Sequence, residues 1–336
     1  MDLVESSDTL DRSEYLLDEL IQIISVKDIC NVIIDYDYMF LGQLDLSFTD
    51  NKKYEDSEIL CPLPDDRFIS GTIEGNIIVF DTINKRIDKI FKLSDDYITH
   101  IITSNQIYDI ETIIISTGTQ LFIFDLDFNI ITIFKNSYTF GIVEVLSKNT
   151  IVTKEGYSTI AIFDLNNNKL NKLISFDTGN AIMSLKIIHN PQKWLNNISR
   201  SVIITADSGG SLSFWDPKTG TLYQTFNESS NMIYSMIILS DDKIVTTTSN
   251  TIHIWNPLGR SYDIEIKTEY NTMKTNILPD GYIIGMSTFQ LYIIDSITGT
   301  IYKTIQHGYF LSNLTVLKSG KVVAYDRSKG RFVILK

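Results

Sequence analysis

The chain contains few of the residues from which disulfide frameworks, metal sites and membrane anchors are built. Of its 336 residues, two are cysteine, four are histidine and six are proline. Cys30 and Cys61 are too few for the disulfide framework of a small secreted domain, so we expect buried, reduced thiols. No stretch approaches the roughly 18 apolar residues of a membrane span, and the N-terminus lacks a signal-peptide pattern. These absences predict a cytoplasmic protein without a membrane anchor.

Positive charge is also scarce in this sequence. Lys and Arg together number 29 against 41 Asp and Glu, which gives a formal net charge of -12. Binding to nucleic-acid phosphates depends on clustered Lys and Arg, and the sequence has no basic run. With 43% hydrophobic residues, the composition is that of a folded domain. We therefore expect a compact protein that does not bind nucleic acid.

The sequence contains no motif for catalysis, metal binding or cofactor binding. His100, His189, His253 and His307 are far apart in the chain, and none has a second His or Cys at metal-ligand spacing. A nucleophile elbow, a Walker loop and a Gly-rich dinucleotide fingerprint are absent as well. The sequence therefore predicts a protein that is not an enzyme and that has no catalytic, metal-binding or cofactor-binding residues.

One short phrase recurs along the chain, an apolar strand that ends in Phe or Trp followed by Asp. Its copies are IIVFD, LFIFD, IAIFD and LSFWD, with the variants IHIWN and LYIID. Their last residues lie 44, 39, 52, 40 and 39 residues apart, and a four-stranded propeller blade takes about 40 to 45 residues. The longest interval includes residues 189–200, whose Pro and Asn content indicates an inserted loop. The structural repeat positions are Asp81, Asp125, Asp164, Trp215, Asp216, Trp255, Asn256 and Asp295.

A seventh copy of the phrase, FVILK, ends at Lys336, which is 41 residues after Asp295. If this copy is also a third strand, the seventh blade lacks its outer strand, and an open sheet edge promotes aggregation. Residues 43–48, QLDLSF, alternate in polarity and can supply that strand. We therefore predict an all-β fold, a seven-bladed β-propeller over residues 37–336 closed by an N-terminal strand. Deleting residues 37–49 should destabilise it more than deleting residues 1–36.

Three segments resemble the repeat signature of the WD-repeat family, namely residues 69–81, 204–216 and 244–256. In that family a Trp on the third strand pairs with a Ser or Thr on the second, which implies the pairs Trp215 with Thr205 and Trp255 with Thr246. The Gly-His pairs that precede each blade in the family are missing here, so packing must hold most blades together. The resemblance implies a platform for protein–protein interaction.

The sequence also predicts roles for residues in turns and in connecting segments. We expect Asp216 and Asp295 to accept hydrogen bonds from the backbone of their own turns, which makes them structural. The 17 Tyr and 17 Phe residues mostly fill the spaces between blades. Aromatic side chains that remain exposed on a face would anchor a protein partner. The candidates in connecting segments are Tyr97, Tyr138, Phe140, Tyr234, Tyr309 and Phe310.

Residues 1–36 differ in character from the repeat and form a separate helical appendage in this prediction. Apolar residues at helical spacing indicate a first helix, and Val26, Ile29, Val32 and Ile33 indicate a second. The apolar positions of the first helix are Leu16, Leu17, Leu20, Ile21 and Ile24. One hypothesis is that this hairpin only packs on the propeller and shields apolar surface.

Two resemblances suggest other roles for the appendage. Residues 16–32 resemble a shortened F-box, which implies a Skp-type adaptor as partner and a role as substrate receptor of a cullin ubiquitin ligase, with the propeller binding the substrate. The hairpin is also similar to the tail of a BTB module, and giant viruses of amoebae carry many BTB and WD-repeat proteins. The main prediction is a non-enzymatic scaffold with protein partners of unknown identity. Alternatives are the F-box receptor and a structural component of a larger assembly such as a viral particle.

Overall fold

The computed structural model describes residues 44–45, 57–135, 139–166, 169–189, 201–227, 231–257 and 262–335. These residues form 28 β-strands arranged in seven four-stranded antiparallel sheets. The all-β, seven-bladed propeller predicted from the repeat period is therefore confirmed. The predicted helical hairpin of residues 1–36 lies outside the described residues.

Blades 1 to 6 are each a meander of four strands that are consecutive in the chain. The strand β1 (Leu44–Asp45) precedes them. Blade 1 comprises β2 (Ser57–Pro62), β3 (Arg67–Thr72), β4 (Asn76–Asp81) and β5 (Arg86–Lys92), and blade 2 comprises β6 (Ile98–Ser104), β7 (Thr112–Thr117), β8 (Gln120–Phe124) and β9 (Ile130–Lys135). Blade 3 comprises β10 (Phe140–Ser147), β11 (Thr150–Glu155), β12 (Thr159–Asp164) and β13 (Asn171–Asp177).

Blades 4 to 6 are also four-stranded meanders, and blade 7 contains the last three strands of the chain. Blade 4 comprises β14 (Ile182–His189), β15 (Ser201–Asp207), β16 (Ser211–Trp215) and β17 (Leu222–Asn227), and blade 5 comprises β18 (Ser235–Ile238), β19 (Ile244–Thr247), β20 (Thr251–Trp255) and β21 (Tyr262–Lys267). Blade 6 comprises β22 (Thr272–Ile277), β23 (Ile283–Ser287), β24 (Gln290–Ile294) and β25 (Ile301–Gln306). Blade 7 contains β26 (Leu311–Val316), β27 (Val322–Asp326) and β28 (Arg331–Leu335).

The sheet order of blade 7 is β1-β28-β27-β26, so the strand before blade 1 lies beside the last strand of the chain in this sheet. This is the order that the sequence predicts when FVILK is a third strand and residues 43–48 supply the fourth. The strand is shorter than predicted and comprises Leu44–Asp45. Residues Leu46–Ile334 form one compact unit.

The core lies between the blades. The middle strands of each blade are buried on both faces, as in β7, where every residue of TIIIST is buried, and this explains their continuous apolar sequences. One apolar cluster joins Ile69 and Val79 of blade 1 to Ile113 and Phe124 of blade 2. The fourth strands face solvent, so β5 reads RIDKIFK and is mostly exposed.

The first strands line a central channel. Successive first strands contact one another around the ring from β2 to β26, and β26 contacts β2. Blades 7 and 1 also share an apolar cluster in which Phe332 packs against Phe68 and Phe80. The ring is therefore closed by side-chain packing within residues 46–334.

Antiparallel meanders place loops of two kinds at opposite ends of the sheets. One end carries the segments that connect the fourth strand of one blade to the first strand of the next. The hairpins between second and third strands lie at the same end, which we call the connector face. The other end, with the remaining hairpins, is the opposite face. Hydrogen bonds join the two loop types of the connector face: Leu93 N–H donates to Gly75 O, and Phe140 N–H donates to Gly118 O.

The described residues include no helix with the length and apolar character needed to cross a bilayer. Of the two cysteines, Cys61 is a free, buried thiol. Burial raises the pKa of Cys61 to about 12, so the thiolate that would react is not populated at neutral pH. Cys30 lies outside the described residues.

Candidate functional site

The connector face is built from short, tightly bonded loops. In blade 1 the backbone of Gly75 adopts a φ of 78°, and its carbonyl accepts hydrogen bonds from both Leu93 and Ser94. A Cβ at this position would lie 2.2 Å from the Ser94 carbonyl oxygen, so a larger residue does not fit. Thr178 N–H donates in the same way to Ser158 O in blade 3. Such bonds hold the loops of this face in fixed positions.

The Asp residues that end the repeat phrase lie on the opposite face and bond their own turns. Asp216 accepts a hydrogen bond from Lys218 N–H, and Asp295 accepts bonds from Ile297 and Thr298 N–H. The remaining repeat carboxylates, Asp81, Asp125 and Asp164, accept bonds from Asn84, Asn129 and Asn166.

These hydrogen bonds stabilise the charged form of the carboxylates. Bonds from Asn84 lower the pKa of Asp81, and bonds from the Asn129 side chain and backbone lower the pKa of Asp125. Asn256 directly follows the corresponding strand of blade 5 and is half-buried. Because the carboxylates are occupied by their own turns, their role is structural.

Two blades contain a buried hydrogen bond from Trp to Thr. Trp215 Nε1 donates to Thr205 Oγ1 at 2.9 Å, and Trp255 Nε1 donates to Thr246 Oγ1 at 2.9 Å. Both bonds run from the third strand to the second within one blade. These are the two pairs that the WD-repeat resemblance implies.

Exposed aromatic side chains occur on the connector face. Among the described residues, Tyr97 is 53% exposed and Phe310 is 44% exposed, and both lie in connecting segments between blades. Tyr157, Tyr270 and Phe289 are exposed as well, in a hairpin of blade 3, in the segment before blade 6 and in a hairpin of blade 6. In the described part of the chain, no aromatic residue of comparable exposure lies on the opposite face.

The other aromatic candidates from the sequence are placed differently. Phe140 was predicted as a contact residue, and this is wrong, because it begins β10, is 1% exposed and packs against Phe163. Tyr234 is half-buried and lines the central channel. Tyr309 is half-buried, and its ring lies 5.5 Å from the Arg331 guanidinium. Outside the described residues lie Tyr138 and the helical positions Leu16, Leu17, Leu20, Ile21 and Ile24.

Tyr157, Tyr270 and Phe289 were not predicted from the sequence as contact residues. Tyr157 and Phe289 lie in hairpins between second and third strands, where turn residues are expected and an aromatic is unusual. An aromatic residue at such a turn could therefore have identified Tyr157 and Phe289 as candidate contact residues. Tyr270 lies two residues before β22 in the segment TEYN, and Tyr97 lies one residue before β6.

The rings of Tyr270 and Phe289 contact each other, next to a chain of hydrogen bonds. Their ring centroids are 5.7 Å apart in an edge-to-face arrangement. Tyr270 N–H donates to the hydroxyl of Tyr292, which donates at 2.5 Å to Gln290 Oε1. Gln290 Nε2 in turn donates to Glu269. The two rings therefore offer a shared apolar surface on the connector face.

The central channel forms a cavity with a volume of about 710 Å³. Its wall is formed by the first strand of every blade and contains both polar and apolar residues. The residues that line it include His100, Glu144, Lys186 and Lys274. Glu144 and Lys186, from β10 and β14, form an ion pair.

The strands around the channel displace bulk water from these groups. His100 Nδ1 accepts a hydrogen bond from Val143 N–H at 3.3 Å. Burial, together with the charges of Lys186 and Lys274, lowers the pKa of His100 to about 3, so this ring is neutral at pH 7. The Lys274 side chain is open to the channel, but removal from bulk water and the charge of Lys186 lower its pKa.

The described residues contain no cluster of metal ligands, and the sequence comparisons give no match. Within the described ranges, no three His, Cys, Asp or Glu side chains converge as metal ligands do. Comparison of the sequence with models of protein families gives no match, and comparison with curated proteins gives none either. The WD-repeat resemblance and its giant-virus variant therefore remain predictions from the sequence.

Proposed function

We propose that this chain is a non-enzymatic protein-interaction platform of the cytoplasm, whose connector face binds a protein partner. The observation that supports this most is the position of the exposed aromatic side chains Tyr97, Tyr157, Tyr270, Phe289 and Phe310 on that one face. Aromatic residues are enriched at the centres of protein interfaces, where they contribute much of the binding energy. A β-propeller is a fold that commonly serves as a scaffold of this kind.

The charges beside these aromatics indicate the chemistry of the partner. Asp95 and Asp96 precede Tyr97 directly, and Glu269 precedes Tyr270. The Asp95 side chain is fully exposed, although it lies 3.6 Å from Lys92. Acidic residues at the rim of an aromatic patch favour a partner with an apolar centre and Lys or Arg at its edge. The net charge of -12 likewise favours association with a positively charged partner.

Affinity purification from cells of the native host tests the proposal. The full chain is compared with the double variant Tyr270→Ala/Phe289→Ala, and proteins recovered with each are quantified by mass spectrometry. We expect the variant to lose a defined partner by about tenfold or more, since interface aromatics are worth about 2 kcal/mol each.

The matched control is Ile83→Ala/Ile297→Ala, which removes exposed apolar side chains from the opposite face. This control should recover the partner as the full chain does. If both double variants recover the same proteins in the same amounts as the full chain, the connector face is not the docking surface. Thermal denaturation of each variant shows whether the fold is retained.

The resemblance of residues 16–32 to an F-box supports a second proposal, a substrate receptor of a cullin ubiquitin ligase. The same purification, repeated with a chain that starts at Asp37, addresses it. A Skp-type adaptor and a cullin recovered only with the full chain would support this role. Their absence from both preparations would exclude it, and a stable complex of many copies on size-exclusion chromatography would favour a structural component of a larger assembly.

A further inference from the structure

The basic groups in the central channel exceed the acidic ones. Lys186 and Lys274 contribute two ammonium groups, and Glu144 contributes the one carboxylate that lines the cavity within the described residues. Because Glu144 is paired with Lys186, Lys274 has no carboxylate partner in the described part of the chain. This local excess of positive charge occurs in a protein whose formal net charge is -12.

The two lysines line the same cavity, although the strands that carry Lys186 and Lys274 belong to blades 4 and 6. Removal from bulk water, and then the charge of Lys186, lowers the pKa of Lys274. Two like charges that line one cavity repel one another. A site of this kind is stabilised when an anion enters it.

His100 adds a neutral hydrogen-bond donor to the same wall. Because its Nδ1 accepts the hydrogen bond from Val143, the proton of the neutral ring is on Nε2. Nε2 is therefore a donor without a net charge. Ser184, which carries a hydroxyl group, lines the cavity too. Ammonium, imidazole and hydroxyl donors in one cavity are the groups that bind the oxygens of phosphates and carboxylates.

We propose that the central channel is a binding site for a small anionic group with phosphate or carboxylate oxygens, and that Lys274 is its principal ligand. The cavity volume of about 710 Å³ lies within the range of about 300 to 1,000 Å³ found for small-molecule sites. Tyr234, which precedes the first strand of blade 5, also lines the cavity, so the channel wall is continuous with a connecting segment of the connector face. The anion is either a free small molecule or an acidic group carried by a docked protein.

Isothermal titration calorimetry of the full chain with inorganic phosphate, at pH 7 and low salt, tests the site. We expect saturable binding that Lys274→Met weakens by about tenfold or more, because a charge-assisted hydrogen bond is lost. Glu144→Gln should strengthen binding, since it removes the negative charge that is paired with Lys186. The control Lys218→Met makes the same change of net charge in an exposed turn of the opposite face and should leave binding unchanged.

A second titration, with a short polyglutamate peptide, separates the two sources of the anion. Binding of phosphate in a Lys274-dependent manner supports a free anion, whereas Lys274-dependent binding of the peptide alone supports an acidic group on a partner. The proposal is overturned if neither probe binds, or if Lys274→Met and Lys218→Met weaken binding equally. Lys274→Arg, which keeps the charge, should bind as the unchanged protein does, and this distinguishes loss of a ligand from loss of the fold.

Discussion

In blade 4 the indole of Trp215 donates a buried hydrogen bond to Thr205, whereas the equivalent side chains of blade 1 are Phe80 and Ser70. The equivalence follows from strand pairing, since Trp215 lies opposite Ile203 and Phe80 lies opposite Phe68, two residues before the Thr or Ser. A phenyl ring has no N–H to donate. The hydroxyl of Ser70 is accordingly buried, and it has no hydrogen-bond partner among the residues that the structure describes.

Both blades keep an aromatic contact with the preceding blade. Trp215 packs on Phe176 of blade 3 with ring centroids 5.1 Å apart, and Phe80 packs on Phe332 of blade 7 at 4.5 Å. Blade 5 resembles blade 4, because Trp255 lies 5.6 Å from Phe226. The comparison shows that the ring retains ring-to-ring packing between blades even where the hydrogen bond within a blade is absent.

The largest effect is expected from Phe80→Ala in blade 1. Phe80 is 1% exposed and contacts Phe68 and Phe332, so truncation leaves a cavity between blades 7 and 1. The free energy of unfolding should fall by about 3 to 5 kcal/mol. Chemical denaturation followed by tryptophan fluorescence measures this. Phe289→Ala, at an exposed position of the connector face, is the control and should change stability little.

An intermediate effect is expected from Thr205→Val in blade 4. Valine has the shape of threonine but cannot accept the bond, so the Trp215 N–H is left buried and unpaired. The free energy of unfolding should fall by about 1 to 3 kcal/mol. Thr205→Ser retains the acceptor and should lose less. An equal loss for the two variants would mean that the hydrogen bond contributes nothing beyond packing.

The smallest effect is expected from Ser70→Ala in blade 1. Because the hydroxyl of Ser70 is buried without a partner, its removal abolishes a desolvation penalty. Stability should stay unchanged or rise by up to about 1 kcal/mol. A loss as large as that of Thr205→Val in the same denaturation experiment would contradict the distinction between the two blades.

The blade count was predictable because of how the third strands are buried. Each is covered on both faces by neighbouring blades, so its sequence is continuously apolar, and a turn-forming Asp or Asn follows in six of the blades. The position of an aromatic residue near a first strand did not predict whether its side chain is exposed. Phe140 and Phe310 both lie near the start of a first strand, yet Phe140 is the first residue of β10 and points into the core.

The channel charges were not predictable from the sequence. Lys186 and Lys274 lie in first strands whose burial does not alternate, since one face of each strand meets water only inside the ring. Their proximity depends on closure of seven sheets, and two residues 88 positions apart in the chain carry no local signal of it. Single lysines on separate strands therefore looked like ordinary surface residues.

The packing of Phe332 on Phe68 has a consequence for how the protein folds. Most interfaces between blades join segments that are adjacent in the chain, but this interface joins residues near opposite ends of it. Contacts between distant segments carry the greatest loop-closure entropy and slow folding. Refolding should therefore proceed through partly assembled arcs of blades, and the encounter of blades 7 and 1 should set the overall rate.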